Sequence, residues 1–149
     1  MKKVLFAALL LWVSSISAFA NNGTNNGKEE VSSYTKAVFS NQFTGAENVT
    51  WTTSANFRKA TFTREGKTMT ALYNDQNKLV ATTELVEVSE LAPMAIKNLI
   101  KLFPNHQMGE ITKYNGSEVK YYVNLKNEKE TFLVEITPDM NVSFFKAIE

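Results

Sequence analysis

The chain has 149 residues, with 16 lysines and arginines balanced by 15 aspartates and glutamates, one histidine and no cysteine. Without cysteine there is no disulfide, thiolate metal site, lipid-anchoring cysteine or thiol nucleophile. A formal charge of +1 supplies no basic field for nucleic acid or an anionic membrane.

Residues 1–20 read as a signal peptide. Lys2 and Lys3 form a basic start, an apolar stretch runs from Val4 to Ile16, and Ala18-Phe19-Ala20 matches a small-x-small cleavage pattern. That apolar stretch is short for a membrane span and no second one follows, so no span is expected after cleavage behind Ala20. The expected location is the periplasm or the exterior of a bacterium. Cleavage also removes Lys2 and Lys3, which turns the balance of charge slightly negative. Residues 21–30, NNGTNNGKEE, hold too little apolar surface to fold and read as a disordered linker. The remaining residues, 31–149, suffice for one domain.

From about Val31 a helix is predicted, with Tyr34, Val38, Phe39 and Phe43 at helical spacing and Gly45 as its stop. Four strands follow. Residues 48–53 carry Val49 and Trp51 on one face, and 57–64 place Ala60 and Phe62 opposite Lys59, Thr61 and Thr63. Glu65-Gly66 is a two-residue hairpin signal. Residues 67–74 alternate Met69, Ala71 and Tyr73 against Thr68, Thr70 and Leu72. After a turn at Asp75-Gln76-Asn77, residues 78–88 place Leu79, Ala81 and Leu85 on a common parity.

Residues 89–103, SELAPMAIKNLIKLF, then switch to helical period. Ile96, Leu99, Ile100 and Phe103 form the apolar stripe, Pro93 suits the first turn, and Pro104 stops the helix. Strands return at 109–114, 118–126, 130–137 and 142–148. Asn115-Gly116 is the strongest hairpin signal of the chain. Val119, Tyr121, Val123 and Leu125 alternate against Lys120, Tyr122 and Asn124, while Phe132, Val134 and Ile136 share one side. The expected fold is therefore α+β, a tandem repeat of a helix plus a four-stranded antiparallel sheet (α-β4-α-β4). The repeats would cover 31–88 and 89–149, with both helices on one sheet face.

No constellation for catalysis emerges. His106, the sole histidine, has no partner at ligand spacing and reads as a loop residue. Glu84, Glu87 and Glu90 are more simply a solvated edge and a helix N-terminus than an acid cluster. Asp75-x-Asn77 and Asp139-x-Asn141 begin like calcium loops but lack the glycine and the bidentate glutamate such loops need, and read as turns. No catalytic, cofactor or metal residue is assigned. What remains is a surface. If Val119, Tyr121 and Val123 face the helix, then Tyr122, Leu133 and Phe145, joined by Tyr114, emerge on the other face, where aromatic side chains favour partner binding.

The Trp51 strand, Phe57-x-x-Ala60-x-Phe62, Gly66, Met69-x-Ala71-x-Tyr73-Asn74-Asp75 and Leu91-Ala92-Pro93 give residues 34–149 a pattern that resembles the PepSY-like family of secreted bacterial proteins. That family is related to β-lactamase-inhibitor-like folds. It usually carries glycine at the hairpin positions held here by Asn77 and Asn141, and often Leu-Pro where this chain has Ala92-Pro93. The resemblance implies a fold whose concave sheet face grips a partner protein, an association with restraint of proteolysis, and no catalytic residues to transfer. Together the residues and the resemblance lead to a non-enzymatic binding module. Its partner would be an envelope or secreted protein such as a peptidase or hydrolase, its contact residues Tyr114, Tyr122, Leu133 and Phe145. The alternative is a small-ligand carrier, with an apolar cavity between sheet and helices lined by residues such as Trp51, Tyr73 and Phe103.

Overall fold

The structure, a computed structural model, describes residues 31–148, so the expected signal peptide and linker lie outside the described residues. A helix α1 (Ser33–Gln42) precedes strands β1 (Glu47–Thr53), β2 (Phe57–Arg64), β3 (Lys67–Asn74) and β4 (Leu79–Val86). A 3₁₀ turn (Val88–Glu90) and helix α2 (Pro93–Leu102) lead to β5 (Gln107–Asn115), β6 (Val119–Lys126), β7 (Thr131–Ile136) and β8 (Val142–Ala147).

The eight strands form one antiparallel sheet in the order β1-β2-β3-β4-β5-β6-β7-β8. This corrects the expected tandem repeat of a helix with its own four-stranded sheet. Strand β4 pairs directly with β5, from Thr82 opposite Asn115 to Val86 opposite Ile111, so no sheet boundary falls between the two halves. Two four-stranded sheets would have left both of these strands as open edges, and one continuous ladder satisfies their backbone groups instead. The helices are short, ten residues each.

Pro93 explains why α2 starts later than predicted. The residue before a proline is driven out of helical geometry, and Ala92 is extended at φ −61°, ψ 142°. The face that α2 buries also differs from the predicted stripe. Leu91, Ala95 and Leu99 are buried with Ile111, Val123, Leu125, Phe132, Val134 and Ile136, while Ile96 and Phe103 flank them and Ile100 is exposed. The small Ala95 lets the helix axis approach the sheet, which turns Ile100 out towards solvent. Helix α1 is capped by the Ser32 hydroxyl, which accepts from the Thr35 N–H at 3.1 Å. It buries Phe39 and Phe43 on Ala60, Phe62, Ala71 and Tyr73, with Tyr34 exposed.

Register places both helices on the same side. Ala71 lies opposite Thr82, Thr82 opposite Asn115, and Asn115 shares its parity with Ile111 under α2. The parity predicted for β4 is broken by an irregularity between Leu72 and Tyr73. Tyr73 pairs with Leu79 and Leu72 with Ala81, so Leu79 joins the α1 core and Ala81 the opposite face. The Glu65-Gly66 turn has positive φ at both residues (51° and 76°), as a tight hairpin requires. In the last hairpin it is Met140, at φ 65°, and not Asn141 that takes the left-handed position.

Candidate functional site

The face of the sheet that carries no helix among the described residues presents its own cluster. Leu72, Ala81, Tyr114 and Tyr122 are buried there, with Val80, Leu133 and Phe145 packed against them. All four residues singled out from the sequence therefore meet on one face, but at two depths. Tyr114 and Tyr122 are only 7% and 5% exposed, whereas Leu133 and Phe145 are half-buried and form the accessible layer. Tyr122 stands edge-on to Phe145 at 4.9 Å and to Tyr114 at 6.4 Å. Phe144 pairs with Val134 on the helix side, so alternation turns Phe145 to this face, and the β7–β8 register shifts just beyond it, where Lys146 pairs with Leu133.

A charged network anchors the cluster. The Tyr122 hydroxyl donates to Glu135 Oε2 at 2.7 Å, and Lys120 Nζ donates to Glu135 Oε1 at 3.2 Å. Burial, and then the neighbouring Glu135 carboxylate, push the Tyr122 phenol well above its ordinary range, and burial raises Tyr114 as well. Towards β1 the face becomes a rank of threonines, Thr50 opposite Thr61, Thr61 opposite Thr70 and Thr70 opposite Thr83. Thr70 and Thr83 share a 2.6 Å hydrogen bond. Sequence alternation locates the aromatic positions, but the Lys120–Glu135–Tyr122 network depends on register, which alternation does not give.

Gly116 sets the seat of Tyr114. A Cβ at this position would lie 2.4 Å from Tyr114 Cε1 and 2.6 Å from its hydroxyl oxygen. Any side chain there must push the ring off the turn. Gly116→Val is expected to cost about 1–3 kcal/mol through this overlap and to expose the Tyr114 phenol. Urea unfolding and tyrosine fluorescence quenching by acrylamide would measure both effects.

The remaining candidates resolve into structural roles. His106 is wedged between Phe103 and Phe132, with ring centroids at 5.9 and 5.0 Å. The Asn127 carboxamide oxygen accepts from the backbone N–H groups of Lys129 and Glu130, so its nitrogen is left to donate to His106 Nε2 at 2.8 Å. His106 thus ties the loop after α2 to the β6–β7 turn, with only 12% of its side chain open to solvent. Glu90 makes a surface pair with Lys113 at 3.4 Å. In the last turn Asp139 accepts from the Thr137 hydroxyl and the Asn141 amide, and these bonds hold its carboxyl below the usual range. Among the described residues, no three metal-ligating side chains come together.

The cavity expected for a ligand carrier is not assembled from the residues named for it. Trp51 and Tyr73 pack together at 6.0 Å in the α1 core, while Phe103 belongs to the α2 core. Open surface pockets lie elsewhere among the described residues, such as one of about 650 Å³ around Asn105, Lys126 and Asn127 and one of about 490 Å³ around Leu85, Val88 and Met108.

No family model and no curated protein matches the chain. Solved structures do. A DUF2874 family protein from Bacteroides uniformis superposes with a TM-score of 0.69 at 13% identity, over 77% of this chain and 90% of that one. A BLIP-like protein from Bacteroides fragilis gives a TM-score of 0.68 at 9% identity, over 82% and 89%. A protein from Bacteroides eggerthii, described provisionally as periplasmic, gives 0.70 at 10% identity, over 76% and 86%. At these identities the likeness establishes the fold, which is BLIP-like.

Proposed function

We propose that this chain is an exported, non-enzymatic binding module, with residues 1–20 as its cleaved signal peptide. On this reading it works in the periplasm or outside the cell and restrains or assists an envelope peptidase or hydrolase. The observation that carries it is the helix-free face, where Leu133 and Phe145 form an apolar layer over Tyr114 and Tyr122 that no described element covers. The BLIP-like fold supports a protein partner, and the provisional description of the Bacteroides eggerthii neighbour supports the location. Among the described residues no helix is long and apolar enough to cross a membrane. The PepSY-like pattern around Trp51, Phe62 and Tyr73 is consistent with a role in restraining proteolysis.

Polar replacement of the accessible layer tests the site. Leu133→Asn with Phe145→Asn is expected to lower capture of an envelope peptidase or hydrolase by the immobilised protein at least about tenfold, the weight of one lost hot spot. Ile100→Asn, on the helix side, should leave capture intact. Undiminished capture by the folded double variant would overturn the assignment of this face.

A further inference from the structure

We infer that the chain forms a two-fold dimer through the free edge of β8, joining two eight-stranded sheets into one. The edge lies beside an apolar strip unrelated to the helix-free face. Phe144, on the helix side of β8, is 60% exposed, and on α2 Met94 and Leu102 are 55% and 53% exposed. Those two residues flank Asn98 at one-turn spacing, and Asn98 donates to the Met140 carbonyl at 3.0 Å, so this row of α2 faces the β8 side. Three large side chains, each more than half open, thus lie together on one flank and offer apolar area beside the strand edge.

The two edges of the sheet are not equivalent. Strand β1 carries a register irregularity between Glu47 and Thr50 and a left-handed Asn48 at φ 54°, features that twist an edge away from pairing. A β8-to-β1 contact, which would propagate into filaments, is thereby disfavoured. Strand β8 is regular from Val142 to Phe144, opposite Ile136 to Val134, before its own irregularity at Phe145.

Backbone alternation fixes how two copies meet. The Thr137 N–H donates to the Asn141 carbonyl, which marks a hydrogen-bonded pair; Ser143 therefore bonds inward to β7, and Val142 and Phe144 turn their N–H and C=O groups outward. The sheet is antiparallel throughout, so its next strand must oppose β8, and a second β8 does so under a two-fold axis. With the axis at Ser143, Val142 of each copy pairs with Phe144 of the other and exchanges both backbone bonds. The helix-side contact is then apolar against apolar, Ser143 meets Ser143 on the other face, and Lys146 falls opposite Met140, not opposite itself. The open parts of Phe144, Met94 and Leu102 amount to about 300 Å² per copy for side chains of this size. Together with the strand edges this brings the total near the roughly 1,000 Å² of a specific contact.

The chain lacks cysteine, which makes the test direct. Facing residues in a non-hydrogen-bonded antiparallel pair lie within disulfide reach. Ser143→Cys, expressed from residue 21 onward and oxidised by air, is expected to give a covalent dimer on a non-reducing gel, whereas Thr50→Cys on β1 should stay monomeric. By sedimentation equilibrium the unmodified chain should dimerise with a micromolar Kd, and Phe144→Asp should weaken this at least about a hundredfold while keeping the far-ultraviolet circular dichroism of the parent. A chain that stays monomeric at about 0.5 mM, or dimerises without Ser143→Cys cross-linking, would overturn the inference.

Discussion

Replacing Tyr73 by alanine is expected to lower the free energy of unfolding by about 3–5 kcal/mol, the range for deleting a large buried aromatic. The ring is fully buried between the sheet and α1, in a cluster where Phe39, Phe43 and Phe62 meet at centroid distances of 4.9–5.2 Å. Its hydroxyl donates to the Gln42 carboxamide oxygen at 2.8 Å, at the last residue of α1. One side chain therefore fills the core and fastens the C-terminal end of a helix that has few other anchors. Tyr73→Phe separates the two contributions, because it keeps the ring and removes only the hydrogen bond. That variant should lose about 0.5–1.5 kcal/mol. Urea denaturation measures both, and an alanine variant within about 1 kcal/mol of the parent would refute this account of the α1 core.

Alkaline pH is expected to unfold the protein as its buried phenols ionise. Burial pushes Tyr73 up to about 12, and Tyr114 and Tyr122 are raised too. In each case the folded state favours the protonated, neutral form. The stabilisation is thus complete below about pH 10, where an unfolded tyrosine ionises, and for Tyr73 it is lost as the pH rises through about 12. Tyr122 adds a second reason for the loss: its hydroxyl donates to Glu135, and a phenolate would face that carboxylate at 2.7 Å. Absorbance at 295 nm should show three of the five tyrosines ionising late and together with the loss of circular dichroism. Tyr73→Phe should shift the alkaline midpoint upward despite its lower stability at neutral pH. Five phenols titrating near pH 10 in the folded protein would contradict the burial of all three.

Much of this architecture was legible because the two periods of the chain differ. The alternation of Val119, Tyr121, Val123 and Leu125 located β6 and its buried side, and it correctly separated Tyr122 from them. Wherever a bulge intervened, counting by two failed. Leu79 and Ala81, given one parity by the pattern, diverged at the irregularity beside Tyr73. A bulge adds one residue without changing hydrophobicity, so the pattern carries no mark of it. Ile100 was misplaced for a related reason. Several helix faces near it are apolar, and the small Ala95 decides which one settles on the sheet.

By itself the sequence determined the local elements: the hairpin at Glu65-Gly66, a helix within residues 89–103 with Pro93 in its first turn, the strands, and the absence of any thiol chemistry. These follow from backbone sterics and side-chain period within a few residues. Only the tertiary structure decided that the strands form one sheet, because whether β4 pairs with β5 depends on backbone groups distant in sequence that no local pattern encodes. The same long-range pairing brought Lys120, Tyr122 and Glu135 into one network and left β8 as the smoother of two edges. Both surfaces proposed for partner contact thus arise from register, a property of the folded chain as a whole.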